Sequence, residues 1–192
     1  MLFAHPLAAS KDNSSRILGF SMIELMVAVS ITGIIATLAM PSFNQLIRNT
    51  QVRADAASLH AYLSFARKYA ITNQTNVHLC QRPISGALQC DIGSTAGRSW
   101  NSGWIVFEDK NRNNTVEDDE ILKIMSPLNT SNVRFNQRGK LRFHGDGSAR
   151  SAGFYICSEG ATAMRHISIL HTDRVRIRDK LPLAQRVSCK SA

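Results

Sequence analysis

With 192 residues, 44% of them hydrophobic and 19% charged, the chain is long enough for one core-forming domain beyond any processing or membrane segment. Lys and Arg number 23 against 14 Asp and Glu, a formal charge of +9. That excess points to an anionic partner (nucleic acid, a membrane surface or an acidic protein) or to a solvated basic surface with no dedicated ligand. The six histidines form no HExxH pair, and there is neither a P-loop nor a GxSxG elbow, so no enzyme class finds its signature here.

Residues 1–19 form a polar leader with Lys11, Asp12 and Arg16, ending on Gly19. From 22 to 40 the single ionisable residue is Glu24, and the rest are apolar or small. About 20 such residues in a helix, at about 1.5 Å each, match the hydrocarbon of a bilayer. A secretory signal is cut after its apolar region and discarded. Here the small residue comes first, so a cut after Gly19 keeps the apolar helix and makes Phe20 the new amino terminus. A carboxylate inside an apolar span is costly unless paired. Glu24 of one subunit, four residues from that terminus, would neutralise the amine of a neighbour and set the register between helices. The alternative is an uncleaved signal anchor with Glu24 at the interface.

The run Gly19-Phe20-Ser21-Met22-Ile23-Glu24-Leu25 resembles the prepilin motif Gly-Phe-Thr-Leu-Ile-Glu-Leu of type IV pilins and type II secretion pseudopilins, with Ser21 for Thr and Met22 for Leu. The resemblance implies cleavage after Gly19 by prepilin peptidase, N-methylation of Phe20 and polymerisation through the apolar helix. Pro41 falls where these pilins commonly bend that helix.

Helix is expected from about 21 to 72, bent by Pro41 because the helical pattern resumes at once. Beyond it Phe43, Leu46, Ile47, Leu59, Leu63, Ala66 and Ala70 keep a spacing of three to four, so this half should cover a sheet. Short strands are expected at 77–80, 104–108, 121–125, 133–136, 140–144, 153–157, 166–171 and 174–178, joined by turns at Gly139, Gly145-Asp146-Gly147 and Ser158-Glu159-Gly160. No second helical period appears, which favours antiparallel hairpins. Trp100 and Trp104 are assigned to the core or to packing on a disulfide. The segments 64–71 and 76–80 are similar to the helix end and first strand of the FimT and secretion-H minor pilin family. Gly103-Trp104-Ile105-Val106-Phe107-Glu108-Asp109 resembles that family's Gly-Trp-x-Val-Phe-x-Asp signature.

Cys80, Cys90, Cys157 and Cys189 form an even set without CxxC, which reads as two disulfides in an exported domain. Three pairings are possible. Cys80–Cys90 and Cys157–Cys189 are favoured, since each joins chain neighbours or the two ends of one subdomain.

Residues 109–120 fit a calcium-loop template, with oxygen donors at Asp109, Asn111, Asn113 and Glu120 among others and Asn114 where glycine is usual. No helices are expected to flank the loop, and Lys110 and Arg112 reduce its negative charge. A polar hairpin tip is the competing reading; no other cofactor is indicated.

Between 131 and 192, twelve Lys or Arg face four acids, a net of +8. Within this stretch Arg174-Val175-Arg176-Ile177-Arg178 alternates strictly. On a strand, three guanidinium groups would share one face about 6.6–7 Å apart, with Val175 and Ile177 turned to the core. Such a row can follow a phosphodiester backbone, with Arg186 and Lys190 close behind in the chain; a solvated strand face is the alternative. The segment also resembles the Gly-Arg-x-Arg element of FimT proteins, which are linked to DNA capture in natural transformation; the match covers Arg174 and Arg176, and Asp173 replaces the Gly.

The expected architecture is α+β, a type IV pilin fold. It comprises a cleaved leader (1–19), a hydrophobic membrane and filament helix (20–47), an amphipathic half (48–76) and a C-terminal antiparallel β domain (77–192). The expected protein is a minor pilus subunit that binds DNA, or else a structural or priming pilin or secretion pseudopilin without that ligand. It would sit in the inner membrane as a single pass, with its β domain in the periplasm. Its partners would be other major and minor pilins, prepilin peptidase and DNA.

Overall fold

A computed structural model describes residues 20–91, 99–128, 131–171 and 174–179, with residues 38–41 described by backbone alone. The chain forms two compact units that divide between Pro41 and Ser42. One helix, α1 (Met22–Asn73), contributes to both. It opens with the Leu25 N–H donating to the Ser21 carbonyl and with Glu24 in the first turn, where the helix dipole favours a carboxylate. It closes with Gln74 in the left-handed region (φ 52°) and the Thr75 N–H returning to the Ala70 carbonyl, a bond pattern that satisfies a terminal carbonyl.

In the first unit Met22, Ile23, Leu25, Met26, Val29, Ile31, Ile34 and Ile35 are all exposed. The Ser30, Thr32 and Thr37 hydroxyls donate to the carbonyls of Met26, Ala28 and Ile34. The helix therefore satisfies its own hydroxyls and presents an apolar surface all round, as a lipid or filament environment requires. Among the described residues no single helix is long and apolar enough to cross a membrane, but Met22–Thr37 and Ser42–Asn73 together pass by length and composition. The bend expected at Pro41 lies outside the described side chains; the helix itself continues through 38–41.

In the second unit Val52, Ala56, Leu59, Leu63, Ala66 and Ala70 are buried to 1% exposure or less and form one stripe. Three alanines in that stripe let the helix lie close to the sheets. Phe43, Leu46 and Ile47, expected to continue it, are exposed instead. They precede Val52, the first buried residue of the stripe.

Eight strands form two antiparallel four-stranded sheets. The first has the order β3 (Ile121–Ile124), β2 (Trp104–Glu108), β1 (Val77–Gln81), β5 (Leu141–Phe143). The second runs β4 (Asn132–Phe135), β6 (Ala152–Cys157), β7 (Arg165–Ile169), β8 (Arg176–Arg178). One core unites the helix stripe with the inner faces of both sheets. At its centre Trp100 meets Phe154 edge-on at 4.8 Å and Phe135 at 5.2 Å, while Trp104 meets Tyr62 edge-on at 5.8 Å. Both tryptophans are thus core residues.

The strands β1 and β2 are buried on both faces. Their outer side carries Cys80, Ile105 and Phe107, capped by Cys90, Val116 and Ile121. The Cys80–Cys90 disulfide fastens the loop after β1 over this face. Cys157 is also disulfide-bonded, and its expected partner Cys189 lies outside the described residues. The turn after β6 is tied to the helix: Asn49 Oδ1 accepts the N–H groups of Thr162 and Ala163, and Arg48 donates to the Glu159 carbonyl.

Candidate nucleic-acid interface

The strand β8 is a three-residue edge strand, and its pairing with β7 sets Arg176 opposite Ser168, Ile177 opposite Ile167 and Arg178 opposite His166. The register continues across the sheet, with His166 opposite Tyr155 and Tyr155 opposite Arg134. Directly opposed residues share a face. The outer side of the second sheet therefore carries the cross-strand row Arg134, Tyr155, His166, Arg178, with Arg176 beside it. The His166 ring stacks on Tyr155 at 4.7 Å and 8°. Gly153 makes room for it, since a Cβ there would stand 2.8 Å from His166 Nε2. Burial, then the Arg178 charge, pushes His166 below the ordinary imidazole value, which keeps the stacked ring neutral near pH 7.

The three-arginine strand expected from the alternation is corrected here. Arg174 precedes β8, leaving Arg176 and Arg178 as the strand pair. Val175 is buried at 8% exposure, but Ile177 is 39% exposed. An edge strand paired on one side for three residues covers its inward side chain only in part. The strand's end is fixed by an ion pair between Arg165 and Asp179 at 3.3 Å.

Arg174 instead lines a groove of about 370 Å³ with His60, Ser64, Arg67 and Lys68 of α1. A His60 ring nitrogen lies 3.0 Å from the Val175 carbonyl, linking the helix to the segment before β8. Arg67 and Lys68 were missing from the sequence-based site, as was Arg134. Helical spacing was the available signal: 60, 64, 67, 68 and 71 flank the buried stripe at 59, 63, 66 and 70. Arg186 and Lys190 lie outside the described residues.

The loop 109–120 has the following geometry. Asp109 Oδ1 accepts the Asn114 N–H at 3.3 Å, and its other oxygen lies 3.4 Å from His78 Nε2. Asn111 and Asn113 donate side-chain amides to Glu117 at 3.0 and 2.7 Å, and their oxygens accept the N–H groups of Asn113 and Thr115. Glu120 Oε1 accepts the Lys110 N–H, and its buried Oε2 has no hydrogen-bond partner. Asn114 takes the left-handed φ of 62° expected at that position. Among the described residues no three His, Cys, Asp or Glu side chains group closely enough to hold a metal ion.

At the other end of the chain Gly19 lies outside the described residues. Phe20 is 82% exposed, ahead of the helix whose first turn holds Glu24.

The family model described as type II transport protein GspH matches residues 55–173, and the prokaryotic N-terminal methylation motif matches residues 14–40. No curated protein matches. Among solved structures, the type IV minor pilin FimU of Pseudomonas aeruginosa superposes with a TM-score of 0.51 at 18% identity, over 70% of this chain and 94% of that one. A second crystal form of FimU gives a TM-score of 0.49, also at 18% identity, over 68% and 97%. The first match shows the fold. A long N-terminal helix whose second half packs on antiparallel sheets, a methylation motif at its start and a family match over more than half the sequence converge: the chain belongs to the family described as type II transport protein GspH.

Proposed function

We propose that the chain is a minor type IV pilus subunit that binds DNA without sequence preference, for uptake in natural transformation. The observation that carries this reading is the row Arg134, Tyr155, His166, Arg178 with Arg176 beside it. Cations flanking a stacked aromatic pair suit phosphate contacts together with base stacking. The groove containing Arg67, Lys68 and Arg174 extends the same charge. Among the described residues the one α-helix buries its sheet-facing stripe, so nothing resembles a recognition helix for the major groove. Contacts would go to phosphates, which position without specifying sequence.

On the same reading, prepilin peptidase cuts after Gly19 and Phe20 is methylated. The helix anchors the subunit as a single pass in the inner membrane with the β domain in the periplasm, until Glu24 pairs with another pilin's terminus in the filament. Binding of full-length protein in detergent to duplex and single-stranded DNA, measured against salt, tests the ligand. The log–log slope should be about 0.9 per neutralised phosphate on duplex, and replacing Arg174, Arg176 and Arg178 by Gln should flatten it by about 2–3. Failure of the parent to bind at low salt, or unchanged binding by the triple variant, would refute the DNA role. A structural or priming subunit, or a secretion pseudopilin as the matching family's description suggests, would then take its place.

A further inference from the structure

The outer face of the first sheet holds a second group of basic side chains, remote in sequence from β8. Register sets His78 opposite Phe107 on one side and Arg142 on the other, so all three share that face. The His78 ring stacks on Phe107 at 5.1 Å. Lys140 and His144 flank Arg142 at two-residue spacing, and with Arg150 these side chains line a cleft of about 150 Å³. Every lining side chain ends in a nitrogen-bearing group, and none is a carboxylate.

Two features mark the cleft as built for a ligand. The first is His78, which is 1% exposed with neither ring nitrogen in a hydrogen bond. Its Nε2 has the Asp109 carboxylate 3.4 Å away, which leaves Nδ1 with no hydrogen-bond partner. Buried polar atoms are nearly always satisfied, so an orphan at the wall of a polar cleft calls for an occupant. The second is how the cations are held. Lys140 Nζ donates to the Asn114 carbonyl at 2.7 Å, and Arg150 Nη2 donates to the carbonyls of Arg138 and Lys140 at 3.0 and 3.3 Å. These backbone acceptors fix the charged groups in place without neutralising them. Burial depresses the Lys140 ammonium below its ordinary value, Asp109 opposing this and Arg142 adding to it. An anion in the cleft would relieve both strains.

We propose that this cleft binds a single phosphate-type oxyanion. Lys140, Arg142 and Arg150 receive its oxygens through charge-assisted hydrogen bonds, and His78, taking up a proton as the anion binds, donates from Nδ1 while Nε2 keeps facing Asp109. At about 150 Å³ the cleft has room for a tetrahedral oxyanion. A phosphodiester of a nucleic acid strand and a free phosphate present the same chemistry to these groups. The site does not depend on the β8 face and goes beyond the DNA reading above.

The test is thermal unfolding of the full-length protein in detergent, with inorganic phosphate against chloride at matched ionic strength. Because a ligand that binds the folded state stabilises it in proportion to log concentration once above Kd, phosphate should raise Tm where chloride does not. Arg142→Gln and Arg150→Gln alter side chains on the exposed rim, and each should raise the half-saturating phosphate concentration about tenfold. The Arg174, Arg176, Arg178 triple Gln variant should leave the phosphate response unchanged, which separates this site from the DNA face. Stabilisation by the dinucleotide TpT as well as phosphate would assign the natural source to a nucleic acid strand; stabilisation by phosphate alone would assign it to the free ion. Equal Tm in phosphate and chloride, or a full phosphate response in both single variants, would overturn the proposal.

Discussion

Gly103 opens the Gly-Trp segment that begins β2, and the structure gives a physical reason for glycine there. Its φ is +86°, and a Cβ would stand 2.2 Å from the Met125 carbonyl oxygen and 2.9 Å from the Ser126 carbonyl carbon. Both are backbone atoms, so relief requires moving the chain after β3 rather than turning a side chain. That movement strains the bond from the Met125 N–H to the Trp104 carbonyl, at 2.8 Å. Gly86 serves as the internal control: its φ is +78°, but the nearest atom to an added Cβ is the flexible Arg82 Nη2 at 3.6 Å. Gly86→Ala should cost only the left-handed conformation, about 1–2 kcal/mol. Gly103→Ala adds overpacking of about 1–3 kcal/mol and a weakened hydrogen bond worth about 1, for a total of about 3–6 kcal/mol. Urea unfolding followed by tryptophan emission reports this directly, because Trp100 and Trp104 are both fully buried. Equal losses in the two variants, within about 0.5 kcal/mol, would mean that the Met125 contact relaxes freely and that φ alone fixes the glycine.

Glu24→Leu should still be processed and membrane-inserted but enter filaments poorly; normal incorporation into purified filaments would end the charge-pairing idea. Peptide mapping without reduction should recover Cys80–Cys90 and Cys157–Cys189, and free thiols would contradict it. Removing the Cys80–Cys90 link, with a sequence separation of 10, should cost about 3 kcal/mol. Chelator should leave Tm unchanged, because the oxygens of Asp109, Asn111 and Asn113 and one oxygen of Glu120 already accept hydrogen bonds from the loop. A rise in Tm with calcium, abolished by Glu120→Gln, would instead assign the ion to that loop. Burial, and then the neighbouring Lys140, lowers His78 from 6.5 to about 4, against the pull of Asp109, while Arg142 and His144 push the same way as Lys140. The folded state resists a proton that the unfolded chain accepts. Its contribution is therefore complete above pH 6.5, falls as pH drops toward about 4, and is fully lost below that. His78→Phe should remove this part of the parent's pH dependence.

The helix was legible because its signals are local. Nineteen residues with one ionisable group, then apolar positions at 59, 63, 66 and 70, can form little else, and α1 runs within a residue of the expected bounds. The β2 bounds were equally plain, since Trp104–Glu108 is apolar on both faces and ends in a polar loop. Short strands blurred at their ends: β8 loses two residues and β7 stops at Ile169, because strand length is set by the strands it pairs with and not by the segment's own alternation. The cysteine pattern left three pairings open, and only proximity in space joins Cys80 to Cys90. What the sequence determined by itself was the family motif, the helix stripe and the basic excess. Which cations share a surface was decided by tertiary structure alone. Register across four strands lines up Arg134 with Arg178, helix packing brings Arg67 to Arg174, and the first sheet gathers His78, Arg142 and Arg150. Apart from Arg142 and Arg150, those neighbours are tens of residues apart in the chain, and charge carries no periodicity that could reveal a contact between separate elements.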